Sequence, residues 1–116
     1  MKYIIAGSIK ITDYQVLQEA IKKIEDNITE IVSGGAEGVD RLGEKYAKEN
    51  DLPLRKFPAF WDIHGKAAGP IRNWQMADYA DVALVIWDGK SKGSQNMIKT
   101  MQELGKKVII HEILDR

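Results

Sequence analysis

The chain has 116 residues with 17 basic and 17 acidic side chains, so its formal net charge at pH 7 is zero. A neutral chain has no overall positive field for a polyanion, which makes duplex nucleic acid an unexpected partner. The absence of cysteine excludes disulfides and suits a reducing cytoplasm, and no apolar run approaches the ~20 residues of a membrane span. We expect one soluble, cytoplasmic domain over residues 1–116 with no membrane partner.

The first predicted strand is the apolar run Lys2 to Ala6, and Gly7-Ser8 interrupts it where the chain turns away. Apolar residues at helical spacing from about Asp13 predict a helix with one buried face. Thr12 and Gln15 have the spacing of a capping box, which predicts Thr12 as the cap of this helix. The chain therefore opens with a strand, a turn and a helix.

A glycine-rich turn follows the second predicted strand, Glu30–Val32. Glycines lack a Cβ, so the backbone here can adopt positive φ and approach a ligand closely. The first amides of the following helix have no partner within it, and with the helix dipole they favour an anion such as a phosphate ester. A tight turn without a ligand is the alternative. The predicted ligand contacts of this turn are Ser33, Gly34, Gly35, Gly38 and Asp40.

The helix after this turn ends at Asn50-Asp51, and Leu52–Phe57 predicts a strand. Its proline places it toward a sheet edge, where a missing amide is tolerated. Pro58–Gly69 has no periodicity and predicts a long loop, which in a compact domain is often functional. Pro70 suits the first position of a helix that runs to about Tyr79.

Val82–Trp87 is continuously apolar, as is typical of an interior parallel strand covered on both faces. A polar segment then leads into the last helix, which Gly105 closes in position C′, before a final strand at Lys107–His111. The order is five strands alternating with four helices. It predicts an α/β fold, a Rossmann-like three-layer sandwich with a mostly parallel five-stranded sheet and helices on both faces.

Ligands of such sheets bind beyond the carboxyl ends of the strands. Gly93 and Ser94 begin the last helix there, with Ser94 as phosphate donor or N-cap. Asp88 ends the most apolar strand and is placed for a ribose hydroxyl, a metal or general base work, with turn formation as the alternative. His64 and His111 lack ligand spacing, so neither a metal site nor a cofactor is predicted. Three glycine-bearing turns should meet at this edge: Gly7-Ser8, residues 33–35 and residues 89–94.

Arg72 is the first choice for ligand contact, since a guanidinium can hold phosphate with two parallel hydrogen bonds. The alternative is a surface salt bridge with Asp62. Asn73 would cap, orient the loop or recognise a base edge. Trp61 and Trp87 would stack on a purine or serve in packing.

Four stretches together resemble the SLOG superfamily over nearly the whole chain, and most of all its small YspA-like branch. The resemblance implies a Rossmann-like fold with a nucleotide or nucleic-acid site at the carboxyl edge of the sheet. Members include cytokinin-activating phosphoribohydrolases, the DNA-processing protein of natural transformation and nucleotide-sensing domains, and relatives commonly form homodimers. The stretches are Ala6-Gly7-Ser8, residues 32–40, residues 65–73 with their Gly-Pro-x-Arg-Asn run, and Ala77-Asp78.

The sequence departs from this family at two places. Ile9 stands where this branch usually carries arginine. The phosphoribohydrolases carry Gly-Thr-x-x-Glu after the fourth strand, and here Met97 occupies the position of the glutamate. Since a thioether cannot act in acid–base catalysis, Asp88 or Glu37 would have to replace that glutamate in a catalytic role.

The sequence therefore favours a protein that binds a nucleotide or a small nucleotide derivative, as a sensor or a processing domain. The first alternative is a nucleoside-monophosphate phosphoribohydrolase, which hydrolyses an N-glycosidic bond. The second is binding of single-stranded nucleic acid, against which the neutral charge argues.

Overall fold

In the computed structural model of the chain, residues 1–113 are described. They form one five-stranded sheet in the order β3-β2-β1-β4-β5, and all four neighbouring strand pairs are parallel. The predicted α/β Rossmann-like fold is therefore confirmed. The strands are β1 Lys2–Gly7, β2 Glu30–Ser33, β3 Leu54–Lys56, β4 Val82–Trp87 and β5 Lys107–Glu112.

Five α-helices connect these strands within the described part of the chain. None of them combines the length and apolarity needed to cross a bilayer. The helices are α1 Tyr14–Ile21, α2 Val39–Glu49, α3 Trp61–His64, α4 Ala68–Tyr79 and α5 Lys92–Glu103, and a 3₁₀ turn at Gly65–Ala67 joins α3 to α4.

The core has two halves, one on each face of the sheet. Ile5 of β1 packs with Leu17 and the buried side chains of α1 and α2. Its neighbour Ile4 packs with Met76 and Met101 on the opposite face, beneath α4 and α5. Successive side chains of a strand point to opposite faces, so an apolar run such as that of β1 supplies both halves. The result is the three-layer sandwich that the alternating pattern predicts.

Two helices begin with a different cap from the one expected. The Asp13 side chain accepts a hydrogen bond from the Gln15 amide at 3.0 Å, so Asp13 caps α1 and the predicted capping box at Thr12 is wrong. Ser91 caps α5, since its side chain accepts from the Ser94 amide, and Ser94 is not the N-cap. Each segment contains two residues able to cap, so the residue types alone do not decide which of them becomes the cap.

The predicted loop Pro58–Gly69 is wrong from Trp61 onward. It contains α3 and the 3₁₀ turn, and α4 already begins at Ala68, so Pro70 is its third residue rather than its first. The missing amide of Pro70 still costs no hydrogen bond, because first-turn amides have no partner inside a helix. A helix as short as α3 is too short to produce a helical period in the sequence. The strand before this segment lies at the sheet edge as predicted.

Candidate functional site

A cleft of about 370 Å³ opens at the carboxyl ends of β1 and β4, and we call it the main cleft. The strand order reverses between these two strands, which is where α/β sheets of this type bind ligands. Eight predicted contact residues line the main cleft: Gly7, Ser8, Asp40, Arg72, Asn73, Asp88, Gly93 and Ser94. Gly34 and Gly35 line an adjoining cavity, while Ser33 and Gly38 are not among the lining residues of either one.

Arg72 and Asn73 connect three elements around the main cleft. The Arg72 Nη1 donates to the Gly34 carbonyl at 2.6 Å, and its Nε donates to the Asn73 Oδ1 at 3.1 Å. The Asn73 Nδ2 donates in turn to the Gly93 carbonyl at 3.2 Å and to the Asn96 Oδ1 at 3.0 Å. The guanidinium is therefore held between the turn after β2 and the start of α5, in place of the surface salt bridge with Asp62 that was the alternative.

Three of the predicted glycines permit close packing around this arrangement. A Cβ on Gly34 would lie 2.5 Å from the Arg72 Nη1, and one on Gly7 would lie 2.1 Å from the Ile86 carbonyl oxygen. Gly38 has a φ of +75°, and a Cβ there would lie 2.4 Å from the Ser8 carbonyl oxygen. The close approach of Gly38 to Ser8, together with the hydrogen bond from the Ser8 hydroxyl to Asp88, brings the turns after β1, β2 and β4 together at one edge, as the sequence predicts.

The amides of the turn after β2 are bound by side chains of the chain itself. The Ser33 hydroxyl accepts from the Gly35 amide at 3.1 Å and donates to the Glu44 carboxylate at 2.8 Å. The Asp40 Oδ2 accepts from the Ala36 amide at 3.2 Å. An aspartate in the first turn of a helix thus supplies an internal anion where the sequence suggested an external one.

Among the carboxyl groups that line the main cleft, Asp40 has the pKa that departs most from its ordinary value. Asp40 lines the main cleft, and the residue is only 5% exposed. Burial raises the pKa of Asp40 to about 6, while the hydrogen bond from Ala36 and the charge of Arg72 act in the opposite direction. Near neutral pH this carboxyl group titrates, which is a property of many functional carboxyl groups.

The first turn of α5 forms the wall opposite Arg72. Ser91 accepts from the Ser94 amide at 3.4 Å and from the Ser94 hydroxyl at 3.1 Å. The two preceding amides, those of Lys92 and Gly93, belong to the first turn and so have no partner inside the helix. A Cβ on Gly93 would meet no atom within 4 Å, so the cleft is open directly in front of this residue.

Asp88 shapes the turn that precedes α5. Its Oδ1 accepts from the Lys90 and Ser91 amides, both at 2.8 Å, and its Oδ2 accepts from the Ser8 hydroxyl at 3.2 Å. These backbone hydrogen bonds lower the pKa of Asp88, so the carboxylate is ionised at neutral pH. The turn-forming role that was the alternative is present, and Asp88 still lines the main cleft.

The two catalytic candidates have different surroundings. Glu37 has a side chain that is 79% exposed, lies 3.7 Å from Arg41 and is not among the residues that line the main cleft. Asp88 lines the cleft, and so does Met97, which is buried at the position where the phosphoribohydrolases carry glutamate. No group of His, Asp or Glu suited to hold a metal ion occurs among residues 1–113.

Several residues of the cleft were not predicted from the sequence. Lys10 and Ala36 line it from the turns after β1 and β2, and Ser91 and Met76 complete its walls. Ser91 could have been predicted from the sequence, because a serine three residues before Ser94 is itself a good N-cap. Ala36 and Met76 carry no chemical signal, and only the fold brings them to the cleft.

The fold defines a Rossmann-like α/β protein whose main cleft lies at the switch point of a parallel sheet. More specifically, the chain belongs to the YspA, cpYpsA-related SLOG family, whose model matches residues 1–64. The Gene 61 protein of Mycobacterium phage D29 is 33% identical over 85 residues, which span 68% of each chain.

Among solved structures, the chain is similar to DNA processing protein A (DprA) from Streptococcus pneumoniae. The TM-score is 0.73 at 19% identity, and the match covers 94% of this chain and 49% of that one. The chain thus spans about half the length of this structural relative. At this identity the similarity shows the fold, and the site must be argued from the residues of this chain.

Proposed function

We propose that residues 1–116 form one domain that binds a nucleotide or a small nucleotide derivative in the main cleft. The observation that carries this proposal is the pairing of Arg72 with the open first turn of α5. Asn73 hydrogen-bonds both the Arg72 side chain and the Gly93 carbonyl, so the cation and the helix start face one cleft at a fixed separation. Membership of a SLOG family and the fold shared with a DNA processing protein support a nucleotide-related or nucleic-acid-related function.

The phosphate of the ligand would lie between Gly93 and Arg72. Gly93, which lines the cleft, supplies an amide donor in the first turn of α5, where an anion is favoured. Two N–H groups of the guanidinium already hold Gly34 and Asn73, and the remaining donors are left for phosphate oxygens. A cleft of about 370 Å³ lies within the range of small-ligand sites.

The sugar and base would extend from this phosphate along the floor of the cleft. The ionised Asp88 carboxylate is an acceptor for a ribose hydroxyl, beside Ser8. Ile9, which lines the main cleft and is 63% exposed, supplies apolar surface against which a planar base can pack. The domain would then act as a sensor or as part of a processing protein.

Calorimetric titration of the intact protein with a panel of nucleoside monophosphates tests this proposal. We expect saturable binding by wild type and a loss of about tenfold or more in affinity for Arg72→Ala, since hydrogen bonds to a charged group are removed. Arg55→Ala is the matched control, because Arg55 of β3 lies over the rings of Phe57 and Tyr79 and is not a lining residue of the main cleft. Absence of heat with every nucleotide, from wild type with a native circular dichroism spectrum, would refute the proposal.

A second candidate function is hydrolysis of the N-glycosidic bond of a nucleoside monophosphate. It is favoured by Asp40, a carboxyl group with a pKa of about 6 that lines the main cleft and is suited to general acid–base work. Incubation with nucleoside monophosphates and chromatography for free base tests this function. Release of base by wild type and not by Asp40→Asn would support it, and no release from any bound nucleotide would exclude it.

A further inference from the structure

A second cavity of about 390 Å³ adjoins the main cleft, and we call it the side cavity. It lies beyond the turn after β2 and is bounded by α3 and the segment that follows β3. Arg72 and Ala36 line both spaces, so the two meet at these residues. A ligand held by Arg72 in the main cleft therefore has room to continue on the other side of the guanidinium.

The side cavity has a positively charged lining. Arg41, Lys56 and Arg72 line it, and its lining within the described residues includes no carboxylate. Glu44 lies behind this wall, 3.2 Å from Arg41 and 3.6 Å from Lys56, and its side chain is 13% exposed. Glu44 pairs with both cations and the exposed Glu37 lies 3.7 Å from Arg41, yet neither carboxylate is among the described lining residues, so the charged groups that face the cavity are all cations.

Trp61 contributes an aromatic surface to the same cavity. The residue is 57% exposed although it belongs to a class that is usually well buried. Its ring lies over the start of α4, since a Cβ on Gly69 would be 3.3 Å from the Trp61 Cη2. An indole ring with an open surface beside cations is the arrangement on which single nucleobases stack.

We infer that the two cavities form one bipartite site for a ligand with two nucleoside units joined through phosphate. The inference rests on the proposed nucleotide binding in the main cleft. The first nucleotide occupies the main cleft, the linking phosphate lies beside Arg72 and the cations of the side cavity, and the second base stacks on Trp61. A free dinucleotide and the end of a single-stranded oligonucleotide share this chemistry.

The test compares calorimetric affinities for 5′-AMP and the dinucleotide pApA. We expect wild type to bind pApA about fivefold or more tightly than 5′-AMP, because a stacked base is added. Trp61→Ala should abolish this preference and leave the affinity for 5′-AMP unchanged. Trp74→Ala is the matched control, since Trp74 is 51% exposed on the neighbouring helix and lines neither cavity. It should retain the preference.

The outcomes separate this inference from the proposal on which it rests. Equal affinities for 5′-AMP and pApA in wild type and Trp61→Ala would overturn the bipartite site and leave nucleotide binding intact. No binding of either ligand would overturn both. A 5′-phosphorylated adenylate oligomer serves as the third ligand: tighter binding than pApA identifies an oligonucleotide end as the source, and equal binding identifies a free dinucleotide.

Discussion

The buried carboxyl group of Asp40 provides the sharpest test of the electrostatics of the cleft. Asp40 is 5% exposed, and its burial raises its pKa to about 6 even though the Ala36 amide donates to it and Arg72 lies nearby. Asparagine has nearly the same shape and keeps one oxygen that accepts from Ala36. We predict that Asp40→Asn gains stability relative to wild type as the pH rises.

The sign and size of this effect follow from proton linkage. The ordinary pKa of 3.8 applies to Asp40 in the unfolded chain, so between 3.8 and about 6 the folded protein binds more protons than the unfolded one. In this range wild type loses stability as the pH rises, because ionisation is easier after unfolding. Above about pH 6 the cost of burying the charge is constant, and the difference in pKa corresponds to about 3 kcal/mol.

The assay is urea unfolding of wild type and Asp40→Asn at several values between about pH 4 and pH 7.5, with the two proteins compared at each pH. The difference in free energy of unfolding isolates Asp40, since all other titrating groups are shared. Asp88→Asn is a control for which we expect the opposite dependence of stability on pH. Because hydrogen bonds lower the pKa of Asp88, its carboxylate stabilises the fold at neutral pH and this contribution disappears in acid.

A difference between wild type and Asp40→Asn that stays constant across this pH range would refute the argument. It would mean that the ionised Asp40 carboxylate is as stable in the folded protein as in the unfolded chain, where water solvates it. The raised pKa would then be wrong, and the acid–base role considered for Asp40 would lose its physical basis.

The remaining predictions separate ligand contact from stability. Gly93→Ala should fold normally, since its Cβ meets nothing within 4 Å, yet bind nucleotide more weakly in calorimetry because the methyl group enters the main cleft. Unchanged affinity would place the phosphate elsewhere. Gly43→Ala should lose about 1–3 kcal/mol in urea unfolding despite the helix propensity of alanine, because of overpacking against Ile5; its Cβ would lie 2.8 Å from the Ile5 Cβ. Lys106→Ala should also lose about 1–3 kcal/mol, since its ammonium group donates to three carbonyls at the end of α4. Unaltered unfolding of Lys106→Ala would show that those carbonyls are equally well solvated.

The order of strands and helices was predictable because each strand combines an apolar run with a flanking turn. Val82–Trp87 is buried along nearly its whole length, and its continuous apolar run indicated an interior strand. By contrast, α3 is a single turn without buried residues, and nothing in a sequence pattern marks such a helix. Short elements of this kind form because the surrounding structure constrains the chain. The spacing of apolar residues in the sequence does not predict that constraint.

The site was predictable in part. The convergence of the turns after β1, β2 and β4 follows from parallel topology alone, and Arg72 lies where that reasoning placed it, 2.6 Å from the Gly34 carbonyl oxygen. The hydrogen-bond partners of individual groups were not predictable. Ser33 donates to Glu44, eleven residues later in the sequence, and only the packing of α2 on β2 brings the two together.

Two glycine-containing helix starts face this edge of the sheet, and they differ in what already occupies their donors. In the turn after β2, the Asp40 carboxylate accepts from the Ala36 amide, so an external phosphate there would have to compete with a buried internal anion. At the start of α5, Gly93 faces open space. Among residues 1–113, the Asp88 carboxylate accepts from the Lys90 and Ser91 amides, which precede the helix, and no carboxylate accepts from the first-turn amides of the helix itself. Since displacing a buried carboxylate adds to the cost of binding, we place the proposed phosphate at α5 rather than at the turn after β2. In this proposal Arg72, which anchors the turn after β2 through the Gly34 carbonyl, would offer its remaining donors to an anion at α5.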